Sequence, residues 1–405
     1  MLSSKELLLI NAVLENKDIG TLFANGVDDL MNAYGDVWRS IKSFYTKYHS
    51  VPSFDIIHDR FGIEYEKTAG PTQFYIDQLR EDVLSTKMDN LLYEKAGDIR
   101  KGVSSAKVLA EIQTELSKLT RISTMSHDVD ISDVEAARKN LDELRARAEA
   151  RGGQPGIPTG ISFIDASYVS GIAPGDFWVI LGFTGRKKSL LATLIAVNAF
   201  MMGYTPMMVS LEMSALKVQN RAYTIMGSGL FRNSDLELGQ YPEKGMTDLE
   251  AKIQGLNNKF HVVSNDTLGS MTPNVVQGKI DRYHPDLVIF DYFQLGSDNA
   301  GSTDMTSKMR NMSNEFKTTA VRNEIGIIGI SSATPENGTS VDGPPMVEQV
   351  AYSKQLAYDA DAAIAVHGYD NSTFVDVVGR KNRNGPLFEG TIDWDVNNGI
   401  YKEVF

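Results

Sequence analysis

The stretch Gly182-Phe183-Thr184-Gly185-Arg186-Lys187-Lys188-Ser189 limits what this chain can fold into more than any other. The apolar run Phe177-Trp178-Val179-Ile180-Leu181 ahead of it reads as a buried strand, and Leu190 to Met202 behind it reads as a helix. A glycine-bearing turn from a buried strand into a helix is the setting of a phosphate-binding loop. In such a loop backbone N–H groups and the helix N-terminus surround the phosphates, a lysine neutralises them, and a serine or threonine hydroxyl holds magnesium. Gly182, Lys188 and Ser189 fit the G-x-x-x-x-G-K-[ST] spacing, and Gly185 and Lys187 belong to the same phosphate-binding set. Lys187 stands where the second glycine of the pattern belongs. That glycine serves the backbone, permitting positive φ and close approach of the phosphates. A lysine in left-handed geometry costs about 1–2 kcal/mol, a strain one domain can carry. The alternative reading is a strand-to-helix turn with a basic surface.

At 405 residues the chain has room for two domains, and its 42% apolar and 23% charged content is that of an ordinary globular protein. No apolar run reaches the roughly 18 residues of a membrane span, and the first residues lack a signal-peptide pattern. A cytoplasmic protein with no membrane partner is therefore expected. The absence of cysteine excludes disulfides, thiolate zinc, iron–sulfur clusters and cysteine nucleophiles together. The six histidines never stand at i,i+3 or i,i+4, so a histidine metal site is not expected. A net charge of −12 argues against a basic coat that grips nucleic acid over the whole outside, but not against a basic lining inside a pore.

Residues 1–121 carry helical patterns and little strand character. Ser3 with Glu6 spells a capping box, Val51-Pro52-Ser53 ends one helix and caps the next, and Gly62 closes that one. A long amphipathic stretch runs from Thr72 to Lys101, and a further helix carries Val108, Leu109, Ile112, Leu116 and Leu119. Residues 122–156 read as a linker. Within it Ser132-Asp133-Val134-Glu135 spells another capping box, and Val134, Ala137, Leu141, Leu144 and Ala148 make one narrow apolar seam, stopped by Gly152-Gly153. A helix of this kind lies against a neighbouring subunit or folds back on its own chain. In residues 157–405 strands alternate with helices: Phe177–Leu181, Met207–Leu211, Phe260–Ser264, Leu287–Phe290, Ile327–Ser331, Ala362–Val366 and Phe374–Gly379. Continuous apolar runs among them predict an α/β fold with a mainly parallel sheet covered on both faces.

Leu287-Val288-Ile289-Phe290-Asp291 ends in a carboxylate suited to magnesium or its water, and Val209-Ser210-Leu211 leads into Glu212. Ligands in such sheets lie beyond the carboxyl ends of the strands, so Lys188, Ser189, Glu212 and Asp291 should converge on one crevice. Glu212 is then a candidate to polarise the attacking water, or a helix cap ahead of Met213-Ser214.

Further stretches extend the pattern: Ile157-Pro158-Thr159-Gly160, Pro174-Gly175-Asp176, Ser210-Leu211-Glu212-Met213-Ser214, Asp291-Tyr292-Phe293-Gln294-Leu295, Asp359-Ala360-Asp361 and Lys381-Asn382-Arg383-Asn384-Gly385-Pro386. In this order they resemble the DnaB-type replicative helicase family, hexameric ring motors of bacteria and their phages, and the resemblance extends to the helical N-terminal domain and linker helix. It implies a RecA-like P-loop NTPase domain using ATP and Mg2+. In the implied roles Lys188 holds the phosphates, Ser189 and Asp291 the magnesium, Glu212 activates water, and Gln294 senses the γ-phosphate. Arg383, with Lys381, would reach the next protomer's γ-phosphate, and Arg221 would help position the machinery; otherwise Lys381 and Arg383 belong to a solvated basic loop.

The sequence departs from the family at Lys187, at Ser331-Ser332, where a glutamine usually follows the serine, and at Val350–Gln355, which lacks the usual Arg-Glu pair. Candidate DNA-contacting loops are Ser297–Arg310, with Lys308 and Arg310, and Asn337–Lys354, ending in Lys354. The expected partners are single-stranded DNA, copies of the same chain, a primase and a loader. The expected activity is 5′ to 3′ unwinding at a replication fork. A hydrolysis-weak ring serving as a DNA-encircling scaffold is the alternative, and a recombinase-like filament ATPase is disfavoured by the helical N-terminal half.

Overall fold

The computed structural model describes the chain apart from residues 1, 25–26, 106, 110, 113–114, 117–130, 133, 151–154, 169, 265–270, 336–341, 353 and 405. It divides into two compact units, Met1–Ser132 and Asp133–Phe405. The first contains α1 (Leu2–Asn16), α2 (Gly20–Ala24), α3 (Gly35–Tyr48), α4 (Phe54–Phe61) and α5 (Thr72–Arg100). Their apolar faces meet in one core that includes Leu9, Val13, Trp38, Ile41, Ile76 and Leu79. Gly62 stops α4 as expected, at φ +64°, with its N–H donating to His58 O at 2.7 Å. α1 begins at Leu2, one residue ahead of the expected cap at Ser3, whose side chain lies outside the described residues. Glu6 is instead buried, and its carboxylate accepts the N–H groups of Asn32, Ala33 and Tyr34 at 3.0, 3.2 and 2.8 Å, ahead of α3. Burial favours that use, since three orphan donors at a turn are satisfied by one carboxylate. The described residues between Ser105 and Leu116 are helical, and Leu119 lies outside the described residues.

The second unit opens with α6 (Val134–Ala150), the seam-bearing helix; Asp133 of its capping box and Gly152-Gly153 lie outside the described residues. After α7 (Ser162–Asp165) the chain alternates through β1 (Phe177–Gly182), α8 (Lys188–Met201), β2 (Pro206–Ser210), α9 (Ala215–Gly227), α10 (Asn233–Glu237), α11 (Glu243–Ile253) and β3 (His261–Ser264). It continues through α12 (Pro273–Tyr283), β4 (Leu287–Asp291), α13 (Met305–Asn323), β5 (Gly326–Ser332), α14 (Gln355–Asp359), β6 (Ala362–Gly368), β7 (Phe374–Asn382), β8 (Glu389–Asp395) and β9 (Ile400–Val404).

These strands form one sheet in the order β3-β2-β4-β5-β1-β6-β7-β8-β9. The pairings from β3 to β6 are parallel, and those from β6 to β9 are antiparallel. Alternation along β1 explains how both faces are covered. Trp178 and Ile180 turn to a core shared with Leu191, Leu194 and Ile195 of α8, while Phe177, Val179 and Leu181 turn to one shared with Met309, Met312 and Phe316 of α13. β8 and β9 were not expected. They alternate instead of running apolar, β9 has no buried position, and Lys402 and Glu403 stand on this outer strand. Charge there suits a sheet edge. Among the described residues no helix is long and apolar enough to cross a membrane.

Candidate nucleotide site

The carboxyl ends of β1, β2, β4 and β5 open into a cleft of about 510 Å³, within the range of small-molecule sites. Lys188, Ser189, Glu212 and Asp291, brought together by the sheet as the strand-end rule requires, all line it, as do Lys187, Gly185, Arg221 and Ser332.

The loop is shaped by two close approaches. A Cβ at Gly182 would stand 2.7 Å from Lys188 Cγ and 2.8 Å from Val366 O, so only glycine lets the Lys188 side chain fold across the strand end. Lys187 adopts φ +72° and ψ +12° as the residue before α8, the left-handed geometry that the glycine pattern calls for. Its stem lies against Gly368 at the end of β6, where a side chain would collide with it. Arg186 anchors the same turn by donating to Gly368 O at 3.1 Å and pairing with Asp370 at 2.7 Å. The first turn of α8, like any helix start, has N–H groups without a partner inside the helix, and its residues Lys188, Ser189 and Leu190 line the cleft, where such a helix start favours anions.

Lys188 is only 8% exposed, and its Nζ donates to Phe183 O at 2.9 Å. Burial lowers its pKa, opposed by the negative charges of Asp291 and Glu212. Asp291 is 1% exposed, and neither of its oxygens accepts a hydrogen bond of good geometry, the nearby Ser189 hydroxyl notwithstanding. Burial pushes its pKa up to about 6. An orphaned buried carboxylate beside a serine hydroxyl, with no fixed proton donor on it, is an oxygen set that fits a hard divalent cation. Glu212 is exposed at the cleft mouth. The turn that carries it is pinned by Ser210, whose Oγ donates to Met213 O at 2.9 Å and accepts Met213 N–H at 3.1 Å.

The other candidates stand outside this cleft's lining. Gln294, in the 3₁₀ turn after β4, donates to Ser331 Oγ at 2.9 Å and accepts the Ser332 N–H at 3.4 Å, which ties it to the strand end that does line the cleft. Lys381 donates to Ala357 O and Tyr358 O at 3.1 and 2.7 Å, and burial lowers its pKa. Arg383 pairs with Asp361 at 3.0 Å. Lys308 donates to Gln294 O at 3.2 Å, while Arg310 and Lys354 are exposed. In the Asn337–Lys354 loop, residues 337–341 and 353 lie outside the described residues. Sequence reasoning passed over Lys217 and Tyr292, which also line the cleft. Lys217 was findable, because it stands one helical turn before Arg221 on α9 and so shares its face.

A phosphate loop after one strand and a buried carboxylate on another, separated by β5 in a mainly parallel sheet, define a RecA-like nucleotide-binding domain. The family profile of the DnaB-like helicase C-terminal domain matches residues 156–402. The chain belongs to the DnaB-like replicative helicase family. It is 24% identical over 264 residues to a probable plasmid replicative DNA helicase of Chlamydia psittaci, covering 62% of this chain and 57% of that one. It is 23% identical over 303 residues to the replicative DNA helicase DnaB of Helicobacter pylori, covering 73% and 61%. The chain thus spans about three-fifths of the length of these curated relatives. A solved DnaB-like replicative helicase, described with its interactions with primase, has the same fold, with a TM-score of 0.67 at 16% identity over 99% of each chain.

Proposed function

We propose that this protein is an ATP-driven ring helicase, a hexamer that moves 5′ to 3′ on single-stranded DNA and separates the duplex at a replication fork. The observation that carries the reading is the division of the charged groups. Lys188, Ser189, Glu212 and Asp291 share one cleft, whereas Arg383 stands outside that cleft's lining and remains half exposed. A cation placed so is suited to another subunit's nucleotide, where its charge stabilises the transferring phosphoryl group. In this reading Lys188 neutralises the phosphates, the α8 N–H groups orient them, and Glu212 takes up the proton of the attacking water. Ser189 and Asp291 would hold magnesium, which supplies charge neutralisation to the phosphates when bound. Gln294 connects the γ-phosphate end of the cleft to Ser331 and Ser332. Lys308, Arg310 and Lys354 would meet the DNA backbone, with a primase and a loader as partners.

Single-stranded DNA should stimulate ATP turnover by the purified chain. Lys188→Ala and Glu212→Ala should abolish it, and Arg383→Ala should lower it by about 10³-fold. Assemblies mixed from Lys188→Ala and Arg383→Ala subunits should regain turnover, since some boundaries then join an intact cleft to an intact arginine. No recovery in the mixture would rule out action across the boundary.

A second reading, a hydrolysis-weak ring that encircles DNA as a scaffold, is motivated by Lys187 in left-handed geometry within the cleft. An inert parent chain revived by Lys187→Gly would favour the scaffold; comparable turnover by both would favour the motor.

A further inference from the structure

Helix α13 carries the DNA-side candidates Lys308 and Arg310 in its first turns and is bolted further along to the region that holds Arg383. Ser313 and Lys317 are one turn apart and share a face. Ser313 Oγ donates to Asp359 Oδ2 at 2.7 Å, and Lys317 Nζ donates to Asp361 Oδ2 at 2.6 Å and to Gly175 O at 2.9 Å. Asp361 in turn receives Arg383 on its other oxygen, Oδ1, at 3.0 Å, while Tyr358 O accepts a second guanidinium N–H at 3.2 Å. The backbone agrees, for Arg383 N–H donates to Asp361 O at 3.0 Å, and Phe177 N–H donates to Asp361 Oδ2 at 2.9 Å. Asp176 adds a further carboxylate to the same cluster.

The Asp361 side chain is 11% exposed and that of Arg383 is 49% exposed. One side of the guanidinium is therefore fastened while the rest faces outward. Because Asp361 gives a different oxygen to each cation, Lys317 and the Phe177 N–H on Oδ2 together fix the plane of the carboxylate, and that plane sets the direction in which Arg383 points. We propose that Lys317 and Asp361 are positioning residues for Arg383, and that through them α13 couples DNA held at Lys308 and Arg310 to ATP hydrolysis in the adjoining subunit. This rests on the reading of Arg383 as a group that acts across a subunit boundary.

The test is subunit mixing with Lys317→Met, read as DNA-stimulated ATP turnover. Alone, Lys317→Met should lower kcat about ten- to a hundredfold, the effect of a misaimed catalytic group, with KM for ATP within about twofold of the parent. Lys317→Arg should recover most of the loss. Mixed with Lys188→Ala subunits, Lys317→Met should regain turnover, because its intact cleft then meets an intact arginine. Mixed with Arg383→Ala it should not. Parent-level turnover by Lys317→Met, recovery with Arg383→Ala, or no recovery with Lys188→Ala while Lys188→Ala and Arg383→Ala rescue each other would overturn the inference alone. If those two fail to rescue each other, the boundary reading falls and the inference with it. Should Lys317→Met not fold, Asp361→Asn, which keeps an oxygen for the Phe177 N–H, goes through the same mixtures with the same expectations.

Discussion

Asp291 is buried with neither oxygen well hydrogen-bonded, an arrangement that penalises its ionised form until a cation arrives. Its pKa rises from 3.8 in the unfolded chain to about 6 in the folded one. The folded state therefore holds the proton more tightly. The associated stability is fully present below about pH 4 and is lost as pH rises through about 6, a loss of roughly 3 kcal/mol. In metal-free protein Asp291→Asn should thus resist urea better than the parent at pH 8, by roughly 2–3 kcal/mol, and the advantage should shrink as the pH is lowered towards 5. An equal advantage at both pH values would show that the carboxylate is not the source. Lys187 presents the opposite balance: its backbone is strained, but its stem packs on Gly368 and so occupies space that glycine leaves open.

At the scale of elements, nearly every described position of α6 is exposed. Val134, Leu141 and Leu144 of its seam are 69%, 61% and 45% exposed, and its ion pair between Arg147 and Glu324, at 3.6 Å between two exposed side chains, contributes little. An apolar seam left in water is most economically explained by a second copy of the chain covering it. Leu141→Asp combined with Leu144→Asp should convert assemblies into single chains, measured by light scattering, while circular dichroism and the melting temperature of the single chain stay unchanged. Assemblies that persist would place the intersubunit contact elsewhere. The seam itself was legible as spacing in the sequence. What it meets was not, because one chain's spacing carries no information about a surface on another.

For the whole molecule, a net charge of −12 means that the proposed grip on nucleic acid would have to be local, against the general repulsion of the outside. Binding of single-stranded DNA should then weaken with salt in proportion to the few phosphates contacted, each adding a slope of about 0.7 in log–log form. Lys308→Ala combined with Arg310→Ala should reduce that slope by about 1 to 2. An unchanged slope would remove both residues from the DNA path. Along the rest of the second unit, seven strands were legible to within a few residues, several of them as continuous apolar runs, while β8 and β9 escaped because their half-exposed alternation looks like loop.

By itself the sequence determined the phosphate loop, the buried strands and, through the rule that ligands collect at strand ends, the meeting of Lys188, Ser189, Glu212 and Asp291. These depend on spacing among near neighbours and on strand direction, which periodicity encodes. Only the tertiary structure decided where Glu6 is spent, how Lys187 is accommodated by Gly368, and that Lys317 and Arg383 share the two oxygens of Asp361. Those partners lie tens to nearly two hundred positions apart, and a charge has no preferred partner until folding has removed water and brought one within reach.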